Sequence, residues 1–416
     1  MSRTKRFWFE TIVVFCAALA LYAIGAGEML FEQSLAPHYV HLADAFLHGQ
    51  TSLRVDFLTF DIIDFGGSLY VPSPPLPAVL FMPFVWLFEV EFSDVLFSVL
   101  LGAVNVALVN AAYKNRWLTA FFALGTPHLY FSSLGSVWFQ AQAVAIFFCL
   151  LSILVVMRWR NGFAASLLWC CAVLARPTLL FGLIYPLWLT TERQKGSIRS
   201  NLRHVLSFGV PVLLCLSTLA VYNEARFGNW REFGYQHMMG ADNIVAAIEQ
   251  FGTFSPRYLP CNLRVSLLAL PVFNGQVNGA LLAACAHIVP TGVISLPTLP
   301  VQPNPLGMSL FIASPLFLLL LGIPHSSRNA IALVSLVAVM LPNWLLHNTG
   351  SLQFGYRYWL DASVLWLALL ASVYETRSGS RWRSPFHALV LLSIVINIAG
   401  FLWMFRNFVG TSWLGL

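Results

Sequence analysis

Carboxylates are the first residues in this chain whose placement suggests chemistry. Glu28, Glu32, Asp44, Asp56, Asp61 and Asp64 put six of the 17 acids into one stretch, where Arg54 is the only Lys or Arg. Crowded like charges disfavour ionisation unless a cation or substrate separates them, so the stretch reads as a site for hydroxyl activation or cation binding. Within it, HYVHLADAFLH sets Tyr39, Leu42 and Phe46 at helical spacing, which predicts a short helix lying on a membrane surface. Asp44 and His41 then face the same way, three residues apart, and Asp44 becomes a candidate proton acceptor or metal ligand, against a plainer surface or capping role. The stretch ends in GGSLYVPSPPLP, whose glycines and prolines impose a shaped, extended chain.

Three other places offer cations. YNEARFGNWREFGYQHM presents Arg226, Arg231, Tyr235 and His237 just beyond an apolar run; QFGYRYWLD carries Arg357, Tyr358 and Asp361; and Arg176 sits in CAVLARPTLLFG. An arginine fork suits a phosphate, although interfacial anchoring explains Arg226 equally well. Arg357 and Asp361, four residues apart, either pair with each other or line a cavity for a charged substrate. Arg176 is embedded in apolar sequence and calls for a partner.

The elements that must hold these residues are membrane helices. Hydrophobic residues make up 58% of the 416 and charged residues 10%, against about 25% charged in soluble domains. The apolar runs match the length that crosses about 30 Å of hydrocarbon, and they do not alternate as barrel strands do. Candidate spans are approximately 7–27, 77–91, 93–111, 117–133, 137–157, 162–190, 204–222, 308–323, 328–346, 358–374 and 386–405, about eleven in one membrane-embedded domain covering residues 1–416. The first is read as an uncleaved helix with its amino terminus inside.

The net charge of +6 comes from Lys and Arg between the runs, which marks cytoplasmic loops and not nucleic-acid binding. Residues 28–76 and 223–307 then fall on the opposite, non-cytoplasmic side as two large outer loops. Lys114–Arg116 and Arg158–Arg160 disturb the simple count, so that either 162–190 is broken at Arg176–Pro177 or 77–91 fails to span. Cys16, Cys149, Cys170, Cys171 and Cys215 read as small packing residues, whereas Cys261 and Cys285 share an outer loop and could pair.

HYVHLADAFLHG, DIIDFGGSLYVPSPPLPAVLFMPF, GTPHLYFSSLGSVWFQAQ, LARPTLL, YNEARFGNWREFGY and QFGYRYWLD, in this order and spacing, resemble bacterial members of the C-type glycosyltransferase (GT-C) superfamily, related to protein mannosyltransferases and aminoarabinose transferases. The resemblance implies an all-α polytopic fold with structured outer loops in the bacterial inner membrane. It also implies transfer of a sugar from a polyprenyl-phosphate donor to a lipid, glycan or protein acceptor, surrounded by membrane lipids. An acid in the first outer loop is implied as catalytic or as a ligand of a divalent metal. The usual acidic position falls near Ala36–Pro37–His38, which carry no carboxylate, so Glu32, Asp44, Asp61 and Asp64 are the candidates. Arg176, Arg226, Tyr235, Arg357, Tyr358 and Asp361 are the candidates for binding substrate and lipid phosphate. The competing expectation is a transporter or flippase of a lipid-linked sugar, which needs the helices and the arginines but no acid-rich loop.

Overall fold

Apolar runs this long have one low-energy arrangement in hydrocarbon, the helix that bonds its own backbone. The computed structural model shows that arrangement, and describes residues 3–55, 61–192, 198–239, 242–288, 300–350, 353–377 and 380–404. The helices are α1 (Arg3–Ala26), α2 (His38–Leu47), α3 (Leu76–Phe88), α4 (Asp94–Tyr113), α5 (Arg116–Leu124), α6 (His128–Leu134), α7 (Val137–Trp159), α8 (Gly162–Val173), α9 (Ile184–Thr191) and α10 (Ile198–Phe227). They continue with α11 (Asp242–Phe251), α12 (Leu259–Leu268), α13 (Gly279–Ala284), α14 (Leu310–Ala313), α15 (Ser327–Trp344), α16 (Ser363–Thr376) and α17 (Ser380–Met404). The described strands are two short antiparallel pairs, β1 (Ile63–Phe65) with β2 (Ser68–Tyr70), and β3 (Val272–Phe273) with β4 (Val301–Gln302). The protein is a helical, multi-pass membrane protein. Among the described residues, α1, α4, α7, α10 and α17 contain segments long and apolar enough to cross a bilayer unaided.

Helix ends fall where local chemistry allows. Ser93, Asn115, Asn161 and Ser326 accept backbone N–H bonds at the starts of α4, α5, α8 and α15. The predicted span 162–190 is broken: Pro177 forces Arg176 into an extended conformation (φ −140°, ψ 97°), and a 3₁₀ segment, Pro177–Leu183, leads into α9.

The basic loops gather at one end of the bundle. Lys114 and Arg158 both lie over the Phe7 ring, 5.6 and 5.4 Å from its centroid. Trp117 stacks on His387 at 4.0 Å, and Arg377 donates to the Gly322 carbonyl at 2.9 Å. Both ends of α3, by contrast, lie at the opposite end. The Leu76 amide donates to Leu174 O just after α8, while Phe81 and Phe84 pack on Phe97 and Phe92 around the start of α4. Helix α3 therefore lies along the far face, against α2, with Trp86 76% and Leu87 64% exposed, as in a helix lying in an interface. The alternative that 77–91 fails to span holds as well as the break at Pro177, because 13 residues with both ends held on one side have no length left to cross. Dropping that span and counting the broken 162–190 as two keeps about eleven passes and brings Lys114–Arg116 and Arg158–Arg160 to the basic end.

At the far end the two outer stretches join. Met239 N donates to Ile62 O at 2.8 Å, Ile63 bridges Met238, and Phe65 and Tyr70 pack on Phe227. Gly234 (φ +79°) admits this contact, since a Cβ there would meet Ile63 and Phe227. The pairing that the sequence left open for Cys261 and Cys285 is present, joining α12 to the residue after α13.

Candidate active site

Trp138, Phe139 and Gln142 stand in the first turns of α7 at the far end of the bundle. Trp138 and Gln142 are four residues apart and so share a face. Each holds a carboxylate: the Trp138 indole donates to Asp61 Oδ2 at 2.6 Å, and Gln142 Nε2 donates to Asp361 Oδ1 at 2.7 Å and to the Arg357 carbonyl at 3.2 Å.

Asp361 is the partner that Arg176 requires. Arg176 Nη2 reaches Oδ2 at 2.6 Å and Nε reaches Oδ1 at 3.2 Å, a two-pronged pair. Asn343 Nδ2 donates to Oδ2 at 3.2 Å. The Asp361 side chain is fully buried and that of Arg176 is 21% exposed. The suggested pairing of Asp361 with Arg357 does not form. The 3₁₀ segment Arg357–Ala362 turns the two side chains apart, and α8 delivers Arg176 instead.

Arg357 is left without a carboxylate partner among the described residues. Its guanidinium stands over the rings of Tyr358 (5.1 Å) and Phe139 (5.8 Å), and its buried Nε makes no hydrogen bond. Gly350 (φ +86°) leaves room for it; a Cβ there would lie 2.7 Å from Nε. Tyr358 donates to Asn348 Oδ1 at 2.8 Å.

Asp61 lies within electrostatic reach of Arg357. It is held in a left-handed conformation (φ 57°), which a non-glycine residue adopts at a cost. Burial raises its pKa above the ordinary carboxylate value, while the Trp138 hydrogen bond and the Arg357 charge pull it back. Tyr235 adjoins the same group, in the fields of Arg176, Arg226, Tyr358 and Asp61, and burial pushes its hydroxyl pKa up from the ordinary phenol value. Tyr39, on α2, lies beside Ser73 and in the fields of Arg176, Tyr222 and Tyr235.

The other candidates are elsewhere or otherwise engaged. Arg226 is 4% exposed and sandwiched between Tyr222 and Phe227, and it spends its terminal nitrogens on Val71 O (2.8 Å) and Asn223 Oδ1 (2.7 Å). It fastens the chain after Tyr70. Asp44 pairs with Arg54 at 3.0 Å and approaches His48 at 3.3 Å, and it also lies in the field of His41. Asp64 is exposed on the β1–β2 hairpin, and Glu32 is exposed after a 3₁₀ turn, where its carbonyl accepts from Ser93. Asp56 lies outside the described residues. Among those described, no three His, Cys, Asp or Glu side chains converge as metal ligands.

Several site residues escaped the sequence reading. By spacing alone Tyr39 belongs with Leu42 and Phe46 on one side of a short surface helix, and Trp138 and Gln142 are legible only as an i, i+4 pair at a helix start. Asp94 is a buried acid that accepts from Ser34 N, Ser34 Oγ and Gln140 Nε2 at 2.6–2.7 Å. It locks the Ser34–Ala36 entry to α7, where Val137 N donates to Ala36 O.

No known family model and no curated protein sequence matches this chain. Among solved structures it is similar to ArnT from Cupriavidus metallidurans bound to undecaprenyl phosphate, at 15% identity and a TM-score of 0.45, with 88% of this chain aligned over 60% of that one. The chain thus spans about 60% of the length of that structure.

Proposed function

We propose that the protein is a membrane glycosyltransferase that moves a sugar from a polyprenyl-phosphate carrier to an acceptor hydroxyl on the non-cytoplasmic face. The observation that carries this reading is that two adjacent residues of α7, Trp138 and Phe139, hold Asp61 and face Arg357 respectively. Asp61 and Arg357 are a half-buried carboxylate and a guanidinium with no acid partner among the described residues, within each other's field yet not in an ion pair. A hydroxyl to be deprotonated and a phosphate to be released need that pair of groups on either side.

In the proposed step the Asp61 carboxylate takes the acceptor's proton as its oxygen forms a bond to the anomeric carbon. The bond from that carbon to the phosphate oxygen breaks, its electrons stay on the oxygen, and polyprenyl phosphate departs with its charge met by Arg357. Arg176 supports from behind its Asp361 pair, and Tyr235 and Tyr39 supply neutral O–H donors. The first turns of α7 fix the geometry through Trp138 and Gln142, and Arg226 holds the first outer loop in place. The exposed apolar faces of α1 and α3 offer the prenyl chain a path from the bilayer.

Arg357→Lys tests the phosphate role, since an ammonium keeps the charge and loses the fork. Affinity for a polyprenyl phosphate should fall by the equivalent of about 1–3 kcal/mol, measured by titrating the purified protein in detergent. With a polyprenyl-phosphate sugar and a panel of acceptors, the wild type should release free polyprenyl phosphate without any sealed compartment. Movement of the intact lipid across sealed vesicles, with no release from the panel, would replace this reading by the flippase.

Sidedness follows from the same picture. The basic end faces the cytoplasm by the positive-inside rule, and a disulfide at the far end belongs in an oxidising compartment. Single cysteines at Ser52 and Asn274, in a background lacking the five free cysteines, should react with an impermeant thiol reagent from outside. One at Arg160 should not, and labelling at Arg160 but not at Ser52 would invert the topology.

A further inference from the structure

One amide side chain joins both ends of the loop that delivers Arg357. Asn262, fully buried in α12, donates from Nδ2 to Trp344 O at 3.1 Å and Leu346 O at 2.8 Å, where α15 ends. Its Oδ1 accepts from the Tyr356 hydroxyl at 3.2 Å, one residue before Arg357. Beside it, Ser255 N donates to Leu345 O at 2.8 Å and His347 N to Thr253 O at 3.0 Å. The segment leading into α12 is thus stitched to the loop's first residues.

The residue before Asn262 is Cys261, buried and bonded to the buried Cys285. Helix α13 has six residues, far fewer than the dozen or so an isolated helix needs. It is held to α12 by that bond and by Arg264 Nη1 on Ala280 O at 3.0 Å.

Resting on the reading that Arg357 receives the phosphate, we propose that Asn262 is a positioning residue for Arg357 and that the Cys261–Cys285 disulfide secures it, so that the anion site is complete only in the oxidised protein. The two thiols lose two protons and two electrons to a disulfide-exchange oxidant, which leaves as its dithiol, and one S–S bond forms. A chain in a reducing compartment then carries a slackened loop, and its Arg357 guanidinium is not presented until the pair closes on the outer side.

The test uses the full-length protein as Asn262→Asp and as Cys261→Ser/Cys285→Ser, each also combined with Arg357→Lys. Asn262→Asp keeps the acceptor for Tyr356 and loses both donors. Amide hydrogen exchange at 345–350 and 353–357 should accelerate in both variants while α1 and α7 stay protected. The dissociation constant for polyprenyl phosphate should rise on the order of tenfold, the loss expected for one misplaced charged hydrogen bond. With Arg357→Lys already present, neither change should weaken binding further, because both act through the lost fork. Unchanged exchange in the two segments overturns the proposal, as does an equal additional loss in the Arg357→Lys background. Faster exchange in a protein whose wild type does not bind polyprenyl phosphate upholds the tether and removes the phosphate reading instead.

Discussion

Asp61→Asn is expected to lower sugar transfer by on the order of 10²–10⁴-fold, the contribution of a positioned general base, with binding of polyprenyl phosphate retained. The amide keeps an oxygen for the Trp138 indole but cannot take a proton. Asp44→Asn, Asp64→Asn and Glu32→Gln should turn over near the wild-type rate, since Asp64 and Glu32 are exposed and the half-buried Asp44 is already matched by Arg54. Transfer measured across the four variants checks this, and a loss confined to Asp44→Asn would move the base to α2.

The pH profile carries the same assignment. A base works when ionised, so kcat/KM should climb with pH through the Asp61 pKa. Burial sets that pKa above the ordinary carboxylate value of about 3.9, so the acid limb should lie at higher pH than for an exposed aspartate. The Arg357 charge favours the carboxylate, and Arg357→Gln should therefore shift the limb to still higher pH.

The second large effect is on stability. Asp361→Asn removes the charge facing Arg176, turns one amide nitrogen toward donors already present on Gln142 and Asn343, and strands a guanidinium. Breaking a buried pair from one side costs about 3–5 kcal/mol, and thermal unfolding in detergent should show a clear fall in midpoint. Joint replacement, Arg176→Met with Asp361→Leu, should recover much of the loss because no charge is left buried. A midpoint for Asp361→Asn equal to wild type would mean that the pair is solvated and contributes nothing.

Much of the helical architecture was legible because its cause is local. A run of apolar residues of bilayer length has to be a helix wherever it lies, and Pro177 has to break the one that contains it. Arg176 could be said to need a partner before any partner was known, since the cost of an unpaired intramembrane charge follows from its surroundings alone. Residues 77–91 stayed open between two readings for the same reason. Their composition suits a span, but whether an apolar helix crosses or lies flat depends on where its ends are tied, and the ties at Leu174 and Phe97 come from other helices.

The site divides along the same line. Sequence by itself determined which groups are available: an acid-rich loop with a lone Arg54, arginines flanked by aromatic residues, and two cysteines in one outer stretch. Tertiary structure alone decided which of them meet. Six acids in one loop look alike in composition, and only packing shows that Asp44 spends its charge on Arg54, that Asp64 faces outward, and that Asp61 is drawn under Trp138 toward Arg357. Asp361 lies four residues from Arg357 in the chain and 185 from Arg176, yet it binds Arg176. Chain proximity sets only the chance of contact, whereas burial penalises every charge that lacks a partner, and the fold that pairs Asp361 with Arg176 leaves Arg357 open.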